Sequence, residues 1–238
     1  MTGAVPPPTW PGTWHGKERP APKRRPLTRE RIVRAALAII DSEGMDALSM
    51  RRVAQELDTG AASLYAHVSN KDELIEEVLD LVYAEIELEQ PDPQRWEEQI
   101  KGQLRRARAV LTGHGNLARA AMAANVPVTP NALDNAEAML AILRAGGLDE
   151  QTAAYGVDVL SLYVTATAFE ESSRGGFSEA DHEAFTERIT GYFSSIPADR
   201  YPMITTMAAA LTRNVGDERF EFGLEILVGG LARHRSAG

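Results

Sequence analysis

Apolar positions along most of the chain recur every three to four residues, which is the period of an α-helix. In the first such segment Ile32, Ala36 and Ile40 share one stripe. Thr28 stands where an N-cap is needed, and Gly44 follows the last periodic residue. The pattern therefore predicts a helix that begins after Thr28 and ends at Gly44.

Two shorter helices and a longer one are predicted next. Ser49 is placed to cap a short second helix, and a break then precedes a third short helix over about 61–67. Asn70 and Glu73 have the spacing of a capping box. This pair predicts the start of a long helix that runs to about residue 88.

The remainder of the chain keeps the helical period, and no stretch alternates with period two, so we expect no sheet. The Thr129-Pro130 pair and Asp149 are start signals for two of the later helices. The fold class predicted is all-α, with a helix-turn-helix domain of three helices followed by a larger helical domain. Helices are expected over about 93–112, 116–124, 130–146, 150–172, 180–194, 200–213 and 217–235.

Composition divides the chain further. Residues 1–26 hold seven of the thirteen prolines and carry five Lys or Arg residues against one Glu, although the whole chain has a net charge of −9. Such a segment is expected to be disordered. We therefore divide the chain into a basic tail over 1–26, a first helical domain over 27–72 and a larger helical domain over 73–238. Arg24 and Arg25 lie at the end of the tail.

Several classes of protein are disfavoured. The chain has no cysteine, so disulfides and cysteine-ligated metals are excluded, and the five histidines lack the spacing of a metal site. No apolar run is long enough for a transmembrane helix, and the N-terminus lacks the apolar core of a secretory signal. We expect a cytoplasmic protein without a cofactor or resident metal that does not act at a membrane.

The second and third helices have the proportions of a helix-turn-helix. Ala54 is small where the two helices would cross, and Leu57 and Leu64 are placed to pack under the turn. The outer face of the third helix is left with small and polar residues. A helix of this kind fits the major groove of DNA, where its exposed residues reach base edges and phosphates.

Two stretches resemble a known family. The stretch LTRERIVRAALAIIDSEGMDALSMRRVAQELDTGAASLYAHVSNKDELIEEV, over about 27–79, resembles the DNA-binding domain of TetR-family regulators. TPNALDNAEAMLAILRAGGLDEQTAAYGVDVLSLYVTATAFEE resembles the C-terminal domain of the tetracycline-repressor branch. The resemblance implies a homodimer in which residues 27–72 bind double-stranded DNA, while residues 73–238 form a regulatory domain that dimerises and binds a small-molecule effector. Arg24 and Arg25 would then be placed to reach an adjacent minor groove.

The resemblance also implies roles for individual residues. Asp58 departs from the glycine usual at the turn, and Asp tolerates a left-handed conformation better than most residues. A core position for Tyr65 and a capping role for His67 are the structural alternatives. The DNA-binding residues expected are Ser49, Arg51, Ala61, Ala62, Ser63, Tyr65, His67 and Lys71, together with Arg24 and Arg25.

The later helices are rich in Ala, Leu, Met and Val with isolated polar residues, as in small-molecule pockets. A solvated, capping or core role is the alternative for each of the candidates. The stretch AAMAANVPVTP lacks the histidine through which tetracycline-binding members hold a magnesium–drug complex, so the resemblance does not extend to that ligand. The candidate ligand-binding residues are Gln103, Arg106, Val110, Met122, Asn125, Met139, Leu143, Tyr155, Val159, Tyr163 and Glu170.

The function predicted is a ligand-responsive transcriptional regulator, a repressor, that binds an inverted-repeat operator and is released by an effector. The helices over 150–172 and 217–235 are expected to form the dimer interface, and burial in a monomer core is the alternative. Two other functions remain open at this point. One is a helical DNA-binding or interaction module that no small molecule controls, and the other is an all-α enzyme that uses Glu170 or His114.

Overall fold

The computed structural model describes residues 26–114, 117–123, 126–174, 178–213 and 217–235. The proline-rich tail with Arg24 and Arg25, and the candidate Asn125, lie outside the described residues. Within these ranges the helices are α1 (Arg29–Glu43), α2 (Met50–Glu56), α3 (Ala61–Leu64), α4 (Lys71–Tyr83), α5 (Trp96–Gly113), α6 (Leu117–Ala123), α7 (Pro130–Ala145), α8 (Glu150–Arg174), α9 (Glu179–Ser195), α10 (Pro202–Thr206), α11 (Ala208–Thr212) and α12 (Asp217–Ala232).

The predicted all-α class is confirmed. The described residues include no strand, and their only bridge is an isolated antiparallel pair between Leu148 and Arg235. The predicted caps of α1, α2 and α8 are also present. Thr28, Ser49 and Asp149 each accept a hydrogen bond from a backbone N–H in the first turn that they precede.

The start of α4 differs in detail from a capping box. Asn70 Oδ1 accepts from the Glu73 N–H at 2.8 Å, as predicted. The Glu73 carboxylate, however, accepts from the Ser69 N–H at 2.6 Å and not from Asn70. At the start of α7, Pro130 occupies the first turn but Thr129 makes no side-chain cap.

Some predicted bounds are wrong. α3 ends at Leu64 and continues as a turn, and α4 ends at Tyr83, short of 88. Glu85, Glu87 and Glu89 follow α4, and negative charge is unfavourable at a helix C-terminus. The helix predicted over 200–213 is divided at Met207 into α10 and α11, and a 3-10 turn over Met45–Ala47 was not predicted.

Two groups of buried residues belong to one continuous apolar cluster. Ile32, Val53 and Leu64 hold α1, α2 and α3 together, whereas Ile100, Leu143 and Leu160 pack α5, α7 and α8 against one another. Helix α4 contacts both α1 and α7. It therefore links the helix-turn-helix to the larger group of helices.

The close contact between Gly146 and the ring of Trp96 leads to a prediction about stability. A Cβ atom on Gly146 would lie 2.5 Å from Cδ2 of Trp96, whose side chain is 2% exposed. The buried ring has no room to withdraw, so we expect Gly146→Ala to lower the free energy of unfolding by about 2 kcal/mol, as overpacking does. Urea denaturation measures this change.

The control is Gly191→Ala in α9, because a Cβ atom there meets nothing within 4 Å. Alanine in an open helical position is expected to add about 0.5 kcal/mol of stability. If the two variants unfold at the same urea concentration, the contact between Gly146 and Trp96 is not as tight as described.

Candidate DNA interface and ligand cavity

The helix-turn-helix has a buried side and an exposed side. Leu64 is fully buried and Ala54 is nearly so, which fixes α3 against α2 as the spacing predicted. Ala62 and Ser63 are exposed, and Tyr65 is 54% exposed directly after α3. This exposure disfavours the alternative in which Tyr65 is a core aromatic residue. Ala61 is partly buried and packs on the core.

Two neighbouring arginines on α2 differ in their partners. Arg52 donates to Glu43 and Glu56, and these hydrogen bonds raise its pKa. Arg51 is exposed and makes no hydrogen bond or ion pair with the described residues. The guanidinium of Arg51 is therefore available for a base edge or a phosphate.

Polar groups also lie at the starts of α2 and α4. Ser49 Oγ accepts from the Arg52 N–H at 3.1 Å, and its hydroxyl can still donate. Lys71 is exposed at the first residue of α4, and His67 is half-buried in the turn before it. Helix N-termini and cations are both favourable for phosphate binding.

The turn between α2 and α3 contains a left-handed residue. Asp58 has φ of 49°, as its place in the motif predicted. We expect Asp58→Gly to be about 1 kcal/mol more stable than Asp58→Ala, because only glycine adopts this φ without a steric cost. Both variants lack the carboxylate, so the difference between their thermal unfolding temperatures reports the steric cost of the positive φ. Equal stability of the two would contradict a left-handed turn.

A cavity of about 620 Å³ lies among α4, α6, α7 and α8 and the segment before α7. Its wall is mostly apolar with a few polar groups, as is usual for small-molecule sites. The lining residues are Glu76, Leu79, Tyr83, Ala121, Ala123, Val126, Pro127, Val128, Thr129, Ala132, Asn135, Ala136, Met139, Ala154, Val157, Asp158, Ser161 and Thr165.

The structure brings few of the predicted ligand residues to this cavity. Met139 lines it, and Gln103 lies behind the wall, where its amide nitrogen donates to the lining residue Asn135. Leu143 is fully buried in the core, Val110 packs against the core, and Met122 is 44% exposed outside the lining.

The other candidates have different surroundings. Arg106 pairs with Glu89, Glu170 pairs with Arg219, and Tyr163 donates to the backbone carbonyls of Arg219 and Phe220. Tyr155 and Val159 line a separate groove between α8 and α12.

Sequence reasoning did not select most of the lining residues, although a signal was present. On α8, Ala154, Asp158, Ser161 and Thr165 follow the helical spacing of one face and are all small or polar. Together they line the cavity. Small residues repeating on one face of an otherwise apolar helix were the available indication.

The groove between α8 and α12 is apolar and exposed. Tyr155, Val159 and Ile226 are 65%, 47% and 57% exposed within it. Leu162 and Phe222 on the same two helices are 57% and 66% exposed. Large apolar side chains exposed together in this way are typical of an interface with another protein chain.

An ionic contact joins the far end of α1 to the corner between α5 and α6. His114 Nδ1 lies 3.1 Å from an Asp41 oxygen, and Nε2 lies 3.3 Å from Glu85. Burial lowers the pKa of His114, but its hydrogen bonds and charge interactions with Glu85 and Asp41 outweigh this effect and the net pKa is raised. Arg119 on α6 pairs with Asp46 nearby.

This contact predicts a pH dependence of stability. A raised folded-state pKa gives stability that is complete below the ordinary value of 6.5 and is lost as pH rises through the folded-state pKa. We expect His114→Gln to cost about 1 kcal/mol at pH 6 and less at pH 8.5. Thermal unfolding at both pH values measures this, with Asp41→Asn as a companion variant. An equal cost at both pH values would contradict the protonated contact.

The described ranges contain neither a cluster of metal ligands nor a transmembrane helix. No three or more His, Asp or Glu side chains there are grouped as metal ligands would be. No helix in the same ranges is long and apolar enough to cross a membrane.

Comparisons with known proteins agree with this geometry. Residues 32–78 match the family model of bacterial regulatory proteins of the tetR family, and residues 90–235 match that of the tetracyclin repressor-like C-terminal domain. An HTH-type transcriptional regulator of Saccharopolyspora erythraea is 31% identical, over 92% of this chain and 90% of the relative. The HTH-type transcriptional repressor DrrR1 of Streptomyces coeruleorubidus is 29% identical, over 92% of this chain and 82% of that relative.

A solved structure is more similar still. The TetR family protein ActR of Streptomyces coelicolor, in complex with actinorhodin, superposes with a TM-score of 0.82 at 48% identity. The match covers 89% of this chain and 98% of that one. These relatives are transcriptional regulators, and the two family models together cover most of the chain. The chain therefore belongs to the tetR family of bacterial regulatory proteins, with a tetracycline repressor-like C-terminal domain.

Proposed function

We propose that this protein is a homodimeric repressor that binds an inverted-repeat operator and is released from it by a small molecule bound in the 620 Å³ cavity. One observation carries the proposal. Helix α4 begins at Lys71 on the candidate DNA interface, and further along it supplies Glu76, Leu79 and Tyr83 to the cavity wall. A ligand that displaces this wall changes the position of the helix-turn-helix.

Several findings support the parts of the proposal. ActR, at 48% identity, has been solved with actinorhodin and with (S)-DNPA, and the relative DrrR1 is named a repressor. The exposed groove between α8 and α12 has the apolar character that a dimer interface needs. A two-fold dimer places two recognition helices on successive turns of DNA, so its operator is an inverted repeat.

The domain roles follow from the same arrangement. We assign DNA binding to residues 27–72 and regulation to residues 73–238. The tail over 1–26 is proposed to add contacts from Arg24 and Arg25 in a minor groove beside the operator. Because such a regulator acts where the DNA is, the proposal includes a cytoplasmic location.

The experiment tests gating by a ligand in the cavity. A DNA duplex that the protein selects from a random library is labelled with a fluorophore. Fluorescence anisotropy then identifies compounds that weaken binding of the protein to this duplex. If such a compound lowers the affinity of the protein for DNA by a given factor, it must bind the free protein more tightly than the DNA complex by the same factor, because linkage is reciprocal.

The variant Ala136→Leu places extra bulk in the cavity wall. We expect it to bind DNA normally and to lose most of the response to the compound. Release that is unchanged in Ala136→Leu would show that the effector acts elsewhere. If compounds bind the cavity without changing DNA affinity, the alternative of an ungated DNA-binding module is favoured.

A further inference from the structure

A row of ion pairs joins α12 to α5, and we call this row the charge ladder. The two helices run antiparallel, and three cations on α5 face three carboxylates on α12. In each pair a nitrogen lies 2.7 Å from a carboxylate oxygen, and the pairs are Lys101 with Glu225, Arg105 with Glu221 and Arg108 with Asp217. Successive members are three or four residues apart, so they share one face of each helix.

Two cations of the charge ladder are largely removed from solvent. The side chains of Lys101 and Arg108 are only 5% and 15% exposed. Arg108 also donates to Glu171 on α8 at 2.6 Å, and its guanidinium lies 4.4 Å from the centre of the Phe220 ring. An exposed ion pair contributes little to stability. A buried cation without its partner is costly, however, so a displacement of α12 that separates the charge ladder is unfavourable.

Helix α12 carries apolar residues on two opposite sides. Phe220, Leu224 and Val228 form a buried stripe that faces the core. Phe222 and Ile226 form a second stripe and are 66% and 57% exposed. Residues two positions apart project about 200° apart around a helix, and burial of either stripe is favourable. The carboxylates of the charge ladder distinguish the two stripes, because in this orientation they face the cations of α5.

We propose that the charge ladder orients α12 on the core so that Phe222 and Ile226 face a second copy of this chain. This inference rests on the proposed dimer, whose interface is the groove between α8 and α12. Shape favours the same orientation, since a Cβ atom on Gly223 would overlap the hydroxyl of Tyr163 on α8. The charge ladder extends the restraint along two turns of α12. Its three cations are thus positioning residues for dimerisation.

Charge reversal at the central pair tests the proposal. Arg105 and Glu221 are suitable because their side chains are 41% and 39% exposed, so a reversed charge there is not buried. In Arg105→Glu, and separately in Glu221→Arg, like charges face each other across the two helices. We expect each variant to raise the dissociation constant of the dimer about tenfold or more. Sedimentation equilibrium of the full-length protein measures this constant, and circular dichroism verifies that the helix content is unchanged.

The double variant combines Arg105→Glu with Glu221→Arg and restores attraction with the signs exchanged. Its dissociation constant should return to within about threefold of the wild-type value. Loss of packing alone would not be repaired by the second substitution. Glu218→Arg is the matched control, because it makes the same charge change on α12 at a residue that pairs with Arg213 and not with α5. It should keep the wild-type dissociation constant.

The outcomes distinguish this inference from the proposed dimer. If both single reversals dissociate as the wild type does while Ile226→Glu is a monomer, the charge ladder is overturned and the interface stands. A double variant that dissociates as readily as the single ones also overturns the ladder. If Ile226→Glu remains a dimer, the groove is not the interface and the inference fails with it. If a reversal variant does not fold, Arg105→Gln and Glu221→Gln replace the pair, and additive effects of the two overturn the ladder.

Discussion

Ile226→Glu is expected to convert the protein to a monomer and to lower its affinity for DNA by a factor of about 100 or more, because one half-site then replaces two linked ones. Ile226 lies on α12 in the exposed groove with α8 and is 57% exposed. A carboxylate in a dimer interface has to be desolvated without a partner, which opposes association. Light scattering gives the mass, and anisotropy on the selected duplex gives the DNA affinity.

Two further variants test whether the groove between α8 and α12 is the dimer interface. Tyr155→Glu, on the opposite side of the same groove, should have the same effect as Ile226→Glu. Leu133→Glu is the control, because Leu133 is 49% exposed on α7 and lines neither the groove nor the cavity. A dimer that persists in both groove variants would show that the proposed interface is wrong, and DNA affinity would then be expected to remain.

Tyr65→Ala has the second large expected effect. Tyr65 is 54% exposed, and we propose that its hydroxyl donates to a phosphate. Hydrogen bonds to charged groups contribute about 1.5 kcal/mol or more each. A dimer loses two such contacts, so we expect DNA affinity to fall about a hundredfold at fixed salt. Because half of the side chain is exposed and the core does not depend on it, the thermal unfolding temperature should change little.

Tyr192→Ala provides a matched control. Tyr192 is 61% exposed on α9, far along the chain from the helix-turn-helix, and its removal should leave DNA affinity unchanged. The assignment of Tyr65 to the interface fails if both variants bind DNA equally well. A large fall in unfolding temperature for Tyr65→Ala would mean that the residue supports the fold instead.

Much of the fold could be predicted because local signals agreed with one another. The caps at Thr28, Ser49 and Asp149 and the glycine stop at Gly44 are short-range features, and the structure has all of them. Spacing also predicted that Leu64 is buried, whereas a core position for Tyr65 remained open until the structure showed this side chain to be exposed. These features depend on only a few neighbouring residues.

The ligand cavity could not be predicted in the same way. Helix α8 has one face of small and polar residues, but its sequence does not show whether that face lines a cavity or faces solvent, because apolar residues occupy its other faces. Tyr155 and Asp158 are only three residues apart, yet Tyr155 lines the outer groove and Asp158 lines the cavity. Which face of α8 lines the cavity depends on how α5, α7 and α12 cross this helix. Such crossings depend on contacts between residues distant in sequence.

The role of α4 shows the same limit. The cap at Asn70 predicted that α4 starts at Lys71. Glu76 and Leu79, however, line the cavity only because α7 packs against α4, and the sequence did not predict this packing. In the proposed mechanism, this helix couples DNA binding to effector binding because it belongs to both regions. Coupling of this kind requires that the effector bind one arrangement of α4 better than another.

The most direct test of the central claim is selection of bound duplexes from a random DNA library by the purified protein at near-physiological salt. We predict an enriched inverted repeat whose two halves lie on successive turns of one face of the DNA, as a dimeric helix-turn-helix requires. Folded protein that enriches no sequence, or enriches a single unrepeated half-site, would contradict a dimeric operator-binding regulator.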